Sequence, residues 1–584
     1  MVKDDRLTRV LSVDLSKRTF SVEDRTDLFS RYIGGTGVAT QLLHEECPER
    51  CDPLGEDNPI IFAVGPLTGL YPLASKTVAL FKSPLTGNLG ESHCGGRSAV
   101  ALRMAGYGAL VIRGASDMPV YISIDGHDVH FRDASSIWGM QNFSSGRIIR
   151  ENEPGAGLRT IMRIGTGGEA LVRYACVTTE SYRHFGRLGL GAVFGSKKLK
   201  AVVISGKSSI PVTYTKLYRK SYREIFKTAV ESPVMKKYHD LGTADNIEPL
   251  NRFGGLPTRN LTEARFDEAS GISGETLAAH YLGRRLACSH CPVGCIHIAA
   301  LRELYEDEEF FYKTSMISYD YEPLYALGSM LGIGQADRYL KLMDRIEAFG
   351  IDAMSTGVAL AWATEAMERG LITETETKGV RLTWGDHTAY MEAAGNIVSQ
   401  PNEFYRTLAR GAEDAADRYG GEEFALTFGG NEMPGYHTGP AAHVGTLIGA
   451  RHSHLDNGGY GIDQKVLAKK EVTPEELTTM ILDEEWWRQI LSSLVVCFFA
   501  RGIYLPDLVP QLLSVAGFDL QPNDLTRIGR EIHREKYRFK YREGFSLDTL
   551  RIPGRIFETP SPIPYMNRDY VEQAIARAQE ILSL

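Results

Sequence analysis

The sequence predicts an α+β fold, with a β-rich N-terminal domain followed by two mainly α-helical domains. Up to about residue 208, short runs rich in β-branched and aromatic residues alternate with turns that contain glycine. From residue 209 onward, apolar residues recur with the period of about 3.6 that is typical of helices. Gly420 and Gly421 interrupt the helical part, which favours a boundary there. We therefore predict domains over residues 1–208, 209–422 and 423–584.

Short strands are predicted throughout the N-terminal domain. Residues 9–14 and 19–24 flank a turn at residues 16–18, and the dipeptide Asp125-Gly126 is typical of a hairpin. Further strand-like runs cover residues 59–64, 77–81, 109–113 and 120–124. Glycine is frequent between them, and glycine lets backbone N–H groups approach a phosphate or a flat ring.

Helices are predicted in the remaining two thirds of the chain. Residues 340–349 place apolar side chains on one helical face, and residues 354–369 form a helix that ends at Gly370. Thr473, Pro474 and Glu476 match an N-cap, a first helical proline and a capping-box acid before a segment that runs to residue 499. A further helix is predicted to begin at Asn523 and to end near residue 541.

The composition of the 584 residues is that of a folded globular protein, because 43% are apolar and 24% are charged. The net charge of -8 and the lack of a long basic block make nucleic acid an unlikely partner. Residues 1–14 lack the apolar core of a secretory signal, and the longest apolar run, residues 494–500, is too short for a membrane span. We therefore predict a cytoplasmic protein without a membrane span.

Three cysteines lie close together in the sequence. Cys288, Cys291 and Cys295 form a C-x2-C-x3-C motif, which lets one short loop wrap three thiolates around a cubic iron–sulfur cluster while a fourth ligand comes from elsewhere. A zinc site completed by His290 or His297 is one alternative, and three inert buried thiols are another. The spacing is the reverse of the one found in radical enzymes that cleave S-adenosylmethionine, which disfavours that function.

The five other cysteines are scattered. Cys497 lies in the apolar segment 495–499, which suits either a cluster ligand shielded from water or a core thiol. Spacing alone does not choose between the two. Cys47 and Cys51 lie in a charged stretch and are predicted to be surface residues.

Several motifs resemble those of the aldehyde:ferredoxin oxidoreductases, in that family's order and over almost the whole chain. Beside the cysteine motif they are GPLTG at 65–69, KSPLTG at 82–87, GG at 95–96, AGY at 105–107, GR at 186–187, GLGAVFGSK at 189–197 and YEPLYALG at 321–328. The resemblance implies a β domain that forms the base for two pterins and two helical domains that cover them. It also implies a tungsten or molybdenum ion held by the pterin dithiolenes, with a [4Fe-4S] cluster close by.

Carried over to this sequence, the resemblance assigns ligands to both groups. Cys288, Cys291, Cys295 and Cys497 match the cluster ligands, and Lys76 matches a cation between the cluster and a pterin. His93 and His184 match positions whose backbone carbonyls hold a magnesium ion that bridges the pterin phosphates. Further pterin contacts are implied for Gly95, Gly96, Arg183, Gly186, Arg187, Glu347, Gly350, Ile351, Asp352, Ser492 and Val496.

The chain departs from the family at two places. The paired pterin motifs D-x-x-G-L-D/C appear as residues 347–352 and 492–497, where Glu347 can still accept hydrogen bonds but Ser492 lacks the charge. An E-x-x-H pair that binds a metal between two subunits in some relatives is replaced by Lys341 and Asp344. A metal-bridged homodimer is therefore not supported.

The resemblance implies oxidation of an aldehyde to its carboxylic acid. Glu322 and His454 match an acid–base pair beside the metal. Electrons would pass through the cluster to ferredoxin or to a small polyferredoxin subunit, in some relatives with a flavin subunit as well, since no clean G-x-G-x-x-G unit suggests direct reduction of a nicotinamide. Two alternatives stay open at this point: the tungsten subunit of an aryl-CoA reductase, and a catalytically silent iron–sulfur electron-transfer subunit.

Overall fold

The structure is a computed structural model that describes residues 5–153, 155, 159–305 and 308–583, and the side chains of residues 308–310 lie outside the description. Its N-terminal part is built on two mixed sheets, each of six strands. Their strands are β1 (Arg9–Asp14), β2 (Thr19–Asp24), β3 (Ile60–Ala63), β4 (Thr77–Lys82), β5 (Leu89–Cys94), β6 (Ala109–Arg113), β7 (Val120–Asp125), β8 (Asp128–Asp133), β9 (Thr160–Arg163), β10 (Val177–Thr179), β11 (Arg183–Phe185) and β12 (Leu199–Ser205).

The first sheet has the order β2-β1-β6-β3-β4-β5 and the second has the order β11-β10-β9-β12-β7-β8. The predicted strands 9–14, 19–24 and 109–113 are confirmed with the same bounds, and the hairpin at Asp125-Gly126 joins β7 to β8. Strands β3 and β4 are buried along their whole length, so the first sheet is covered on both faces. The edge strands β5 and β11 lie against each other.

Helices follow and cover the sheets. The α-helices are α1 (Thr26–Tyr32), α2 (Gly35–Glu46), α3 (Ser98–Ala105), α4 (Asn142–Asn152), α5 (Thr166–Glu169), α6 (Leu190–Ser196), α7 (Thr215–Glu231), α8 (Pro233–Asp240), α9 (Ile247–Phe253), α10 (Gly274–His280), α11 (Tyr321–Leu327), α12 (Ala336–Phe349), α13 (Ala353–Glu368), α14 (His387–Ser399), α15 (Glu403–Leu408), α16 (Ala412–Tyr419), α17 (Pro440–Ile448), α18 (His454–Asn457), α19 (Gly459–Ile462), α20 (Pro474–Ser493), α21 (Val509–Val515), α22 (Pro522–Arg542), α23 (Arg555–Glu558) and α24 (Arg568–Leu582). The predicted α+β class, β-rich first and helical afterwards, is confirmed.

The helical part also contains strands that the sequence analysis did not predict. β13 (Leu282–Leu286), β14 (Ile296–Tyr305) and β15 (Glu308–Tyr319) form an antiparallel sheet, and the short pair β16 (Thr427–Phe428) and β17 (Asn431–Glu432) forms another. The remainder is mainly helical, as predicted, but residues 282–286, 296–305 and 308–319 are strands. The loop between β13 and β14 carries the C-x2-C-x3-C motif.

Capping at α20 agrees with the sequence. The Thr473 side chain accepts the N–H of Glu476, and the Glu476 side chain accepts the N–H of Thr473, which completes the predicted capping box. Two predicted ends were wrong: α20 ends at Ser493 rather than at residue 499, and the cap of α22 is Gln521 rather than Asn523. The early end of α20 frees residues 494–500 to turn back toward the sheets.

The domain boundaries at residues 208 and 422 stay predictions. Within the described ranges, every helix falls short of the length and apolar character needed to cross a membrane.

Candidate active site

One large cavity lies between the sheets and the helices. It has a volume of about 370 Å³, within the range of ligand sites in proteins. Its wall includes the edge strands β5 and β11, helix α8, the loop between β13 and β14, the start of α11 and the segment after α20. The cavity therefore brings together parts of the chain from both the sheet region and the helical region.

All four predicted cluster cysteines line this cavity. Cys288, Cys291 and Cys295 lie on the β13–β14 loop, and Cys497 follows the end of α20. One backbone segment joins the two groups, because the N–H of Leu73 donates to the carbonyl of His290 at 3.2 Å while the carbonyl of Leu73 accepts the N–H of Cys497 at 2.8 Å. The fourth cysteine, which spacing alone did not identify, thus lies beside the other three.

Burial makes two of these thiols, Cys291 and Cys295, poor acids in the absence of a metal. Burial raises the pKa of Cys291 and of Cys295 to about 12. Arg183 lies near the same sulfurs: burial opposes its charge, yet the neighbouring Cys288 and Cys295 groups raise its pKa overall. Metal ions bind the thiolate form, so binding would release protons, and the Arg183 cation would compensate the resulting negative charge.

A single zinc ion is the alternative that the sequence leaves open for these cysteines. Zinc–sulfur bonds of about 2.3 Å would draw the ligand atoms tightly around one point. In the part of the chain that the structure describes, no three His, Cys, Asp or Glu side chains are placed to hold one metal ion. His297, a proposed zinc ligand, points its Nε2 at the carbonyl of His239 at 3.0 Å instead.

Gly95 lies against this cysteine set. A Cβ atom at Gly95 would come within 2.7 Å of the Cys288 sulfur and 3.4 Å of Lys76 Nζ. Gly96 follows with φ +104°, and its carbonyl accepts the N–H of Ser289 at 2.9 Å. The backbone of Gly95 and Gly96 therefore packs directly against the cysteine loop.

This close approach gives a first prediction. Gly95→Ala is expected to lower the iron bound per chain at least about twofold, because the added methyl group displaces a cluster ligand. Gly461→Ala is the matched control, since no atom lies within 4 Å of the Cβ it would add. Iron is measured per folded chain after purification without oxygen. Equal iron in both variants would contradict the placement of Gly95 against a cluster.

The predicted magnesium positions lie on edge strands. His93 is on β5 and His184 is on β11, and both line the cavity. An edge strand leaves part of its carbonyl groups without a ladder partner, and such groups can bind a cation. Burial lowers the pKa of His93 to about 4 and that of His184 to about 3, which leaves both rings neutral. Neutral rings do not repel a cation bound to the adjacent backbone.

The predicted pterin contacts divide into two groups. Lys76, Arg183, Gly186, Arg187, Glu347, Ile351, Asp352 and Val496 line the cavity. Gly95, Gly96 and Gly350 are not part of that wall, although Gly350 precedes Ile351 at the end of α12. Ser492 is buried in α20 outside the wall, and its backbone carbonyl meets Gly35. The structure thus gives no geometric support to a contact by the Ser492 side chain.

Asp352 has structural partners of its own. Its carboxylate caps α13 by accepting the N–H groups of Met354 at 3.0 Å and Ser355 at 3.3 Å. It also accepts Arg187 Nε at 3.1 Å. Asp352 therefore fixes both the start of a helix and the orientation of a cavity arginine.

Buried polar atoms without a described protein partner surround the cavity. On residues of its wall they include Arg183 Nε, Arg187 Nη1, Tyr319 Oη, Asp320 Oδ1, Glu347 Oε2, Asn431 Oδ1 and His454 Nδ1. An unpaired buried polar atom costs stability, so such atoms usually meet a ligand or an ordered water. This set of donors and acceptors, together with the cations, fits a large polar group that carries amines and phosphates.

Glu322 and His454 form a buried pair in the same cavity as the cysteines. Glu322 Oε1 lies 3.2 Å from His454 Nε2, and Glu322 Oε2 accepts the N–H of Gly435 at 3.2 Å. Burial raises the pKa of Glu322 to about 8 and holds the pKa of His454 well below its usual value. At neutral pH both groups are therefore uncharged.

Two further residues of this region have no signal in the sequence. Tyr436 lines the cavity together with Glu322, and its ring stacks on Tyr460 with centroids 4.1 Å apart. Asp320 precedes the YEPLYALG motif and lines the cavity. Tyrosines in irregular segments and acidic residues next to motifs are common in sequences. Tyr436 and Asp320 are therefore recognised as cavity residues only in the folded structure.

The prediction for Cys47 and Cys51 was wrong. Cys47 ends α2 and is buried, Cys51 is half-buried, and their sulfurs lie 3.4 Å apart. The charged residues around them face solvent while the thiols face the interior, a distinction that composition alone does not make.

The comparisons with known proteins agree with this architecture. The family model described as aldehyde ferredoxin oxidoreductase, N-terminal domain, matches residues 10–206, and the model of domains 2 and 3 matches residues 220–579. Fold and matches define the chain as an oxidoreductase. It belongs to the aldehyde ferredoxin oxidoreductase family, which confirms the resemblance found in the sequence.

Individual relatives extend over nearly the whole chain. It is similar to the tungsten-containing aldehyde ferredoxin oxidoreductase of Thermococcus kodakarensis, with 31% identity over 573 residues, 95% of this chain and 92% of the relative. A WOR-like subunit of an aliphatic sulfonate oxidoreductase from Pyrococcus furiosus is 32% identical over 569 residues, 90% of this chain and 85% of the relative. Among solved structures, the active-site complex BamBC of benzoyl coenzyme A reductase matches with a TM-score of 0.81 and 20% identity, covering 99% of this chain and 94% of that one. At that identity the likeness shows the fold alone.

Proposed function

We propose that the chain oxidises aldehydes to carboxylic acids at a tungsten or molybdenum bis-pterin group and passes the electrons through a [4Fe-4S] cluster to a carrier protein. One observation carries this proposal: a single cavity joins four cysteines to a buried, neutral pair of Glu322 and His454. Electron transfer and proton transfer would then occur within one cavity. The tungsten named for the relatives supports the choice of metal.

The residues present fit both groups. Cys288, Cys291, Cys295 and Cys497 would hold the cluster, and Lys76 and Arg183 would compensate its charge. Arg187 Nη1 and Glu347 Oε2 would meet pterin donors and acceptors that satisfy their unpaired atoms. The carbonyl groups at His93 and His184 would hold a magnesium ion between the phosphates. When bound, the metal–pterin group supplies a two-electron acceptor, and the cluster releases the electrons singly.

The chain's own residues would then manage the substrate and its protons. The overall change converts an aldehyde and water into a carboxylic acid, two protons and two electrons, and two molecules of a one-electron carrier accept those electrons. Glu322 Oε1 would accept a proton once it is ionised, and His454 would orient it through Nε2. Tyr436 and Tyr460 would pack beside the aldehyde and exclude water.

Ferredoxin or a small polyferredoxin subunit is the proposed carrier, with a flavin subunit as a further partner. The multi-subunit character named for two similar proteins favours an assembly with a small subunit. The cytoplasmic location stays a prediction.

Two rival functions can be separated by an assay. Because the fold resembles that of a benzoyl coenzyme A reductase component, aryl-CoA reduction is the second candidate function. Dye reduction that depends on a simple aldehyde, without activity on an aryl thioester, would reject that candidate. A silent electron-transfer subunit would show neither activity.

Metal analysis tests the cofactor proposal directly. We expect about four irons and one tungsten or molybdenum per chain in protein purified without oxygen. Iron without either heavy metal would reject the proposed mechanism. Zinc in place of iron would reject the cluster.

A further inference from the structure

We propose that helices α7 and α8 form the docking face for an acidic electron-carrier protein. This proposal rests on the proposed function, because it assigns the surface through which that function's electrons would leave. The face, which we call the α7–α8 face, consists of the exposed side chains Tyr214, Lys216, Arg219, Lys220, Arg223, Phe226, Lys227, Val230 and Val234.

The charge of this face differs from that of the chain. Helix α7 carries five cationic and two anionic side chains, whereas the whole chain has a net charge of -8. Lys216, Arg219 and Arg223 form no ion pair with any residue in the described ranges. At spacings of three, four and seven residues they lie on one side of the helix, where like charges destabilise it. An acidic partner would neutralise this repulsion.

Apolar side chains accompany the cations. Phe226 is 42% exposed, Val230 is 56% exposed and Val234 at the start of α8 is 52% exposed. Phe226 stacks on Tyr222, with ring centroids 6.2 Å apart. Exposed apolar groups beside charged ones are typical of protein interfaces, in which the apolar groups form the centre and the charges select the partner.

The opposite side of α7 packs close to the cysteine set. Ser221 Oγ lies 2.8 Å from the hydroxyl of Tyr71, and the hydroxyl of Tyr218 donates to the carbonyl of Leu70 at 3.0 Å. The same short segment continues to Leu73, whose backbone bonds both His290 and Cys497. The backbone of residues 70–73 therefore connects α7 to both halves of the cluster site.

Helix α8 approaches the cysteine loop directly. His239 is exposed, and its Nδ1 lies 2.7 Å from the carbonyl of Val293, between Cys291 and Cys295. Tyr238 stacks on Phe499, two residues after Cys497, with centroids 4.0 Å apart. A carrier seated on the α7–α8 face would therefore come close to the cluster without entering the substrate cavity.

The test measures binding and catalysis separately. The probe is an acidic ferredoxin with one [4Fe-4S] cluster, titrated against the whole chain at low ionic strength. The variant is the triple charge reversal Lys216→Glu, Arg219→Glu and Arg223→Glu. We expect its dissociation constant for the ferredoxin to rise at least tenfold and the salt dependence of binding to flatten, because steering by these cations is lost.

The matched control is Lys465→Glu, Lys469→Glu and Lys470→Glu. It makes the same change of charge at exposed lysines that form no ion pair with a described residue. We expect it to change the dissociation constant less than about twofold. Equal weakening in both triple variants, or none in the α7 variant, would overturn the docking proposal. Tighter binding of duplex DNA, anionic vesicles or a second copy of the chain to this face would overturn it as well.

Aldehyde-dependent reduction of a small uncharged dye tests the proposed function separately from the proposed docking face. We expect the α7 variant to reduce the dye at the unmodified rate, because the dye needs no docking face. If the unmodified chain reduces no dye with any aldehyde, the proposed function fails while the binding result still decides the docking face. If the chain reduces the dye but the α7 variant binds ferredoxin with an unchanged dissociation constant, the docking proposal is rejected and the proposed function is retained.

Discussion

Cys497→Ala is expected to remove most of the bound iron while the chain stays folded. Three thiolates from the β13–β14 loop would remain, but the fourth corner of a cubic cluster would be open to water and to loss of iron. The backbone should hold its position, since the N–H of Cys497 bonds the carbonyl of Leu73 without help from the side chain. The measurement is iron per chain together with the broad visible absorbance of an iron–sulfur cluster.

The matched control is Cys47→Ala. Cys47 is a buried thiol and Cys497 is half-buried, and the neighbour of Cys47 is Cys51 rather than the cavity. We expect this variant to keep the iron content of the unmodified protein. If Cys497→Ala retained about four irons, another side chain would be the fourth ligand, and Cys497 would be a core thiol of the kind that its apolar surroundings also allow.

Some of the fold follows from local sequence because local and tertiary preferences coincide there. Strands β1 and β2 have the predicted bounds, since their residue types, the intervening turn and the burial of β1 all favour the same pairing. The capping box at Thr473 is another such case, as its hydrogen bonds lie within four consecutive residues.

The β13–β15 sheet could not be predicted in this way. β14 contains alanine, leucine, arginine and glutamate, which are good helix formers, and it becomes a strand only through its pairing with β15. A three-stranded antiparallel sheet is fixed by contacts between distant residues rather than by intrinsic preference. The sheet matters for function because it presents the cysteine loop at its end.

The residues of the candidate site could likewise be predicted only in part from local sequence. The C-x2-C-x3-C spacing identified three cavity cysteines by itself, while Cys497 and the pair of Glu322 and His454 required the family resemblance. Their proximity depends on the early end of α20 and on the start of α11, neither of which leaves a pattern in the sequence. The roles of these residues stay predictions, although the structure places them in one cavity.

Glu322→Gln is expected to lower the turnover of aldehyde oxidation by about 100-fold or more while leaving tungsten and iron contents unchanged. Glutamine has nearly the same shape and can still accept the N–H of Gly435, so the local structure should persist. It cannot ionise, however, and therefore cannot accept the proton that oxidation releases. Steady-state kinetics and elemental analysis of the same preparation check both statements.

The pH dependence supplies a second readout. Burial raises the pKa of Glu322 to about 8, so the carboxyl group stays protonated at lower pH and becomes a proton acceptor only as the pH rises through that value. With a pKa near 8, about one-tenth of the group is ionised at pH 7 and about nine-tenths at pH 9. The kcat/KM of the unmodified protein should therefore rise across this interval, and Glu322→Gln should lack the rise.

The variant Glu347→Gln tests whether the rise in kcat/KM belongs to Glu322 or to another buried glutamate of the same cavity. Burial raises the pKa of Glu347 to about 8 as well, and Glu347 lines the same cavity, but Ser318 rather than His454 is its partner. Because Glu347 is assigned to a pterin contact, its loss should lower the metal content and leave the shape of the pH profile unchanged. If Glu347→Gln abolished the rise near pH 8 and Glu322→Gln preserved it, the proton acceptor would be at the pterin side of the cavity, and the acid–base role of Glu322 and His454 would have to be abandoned.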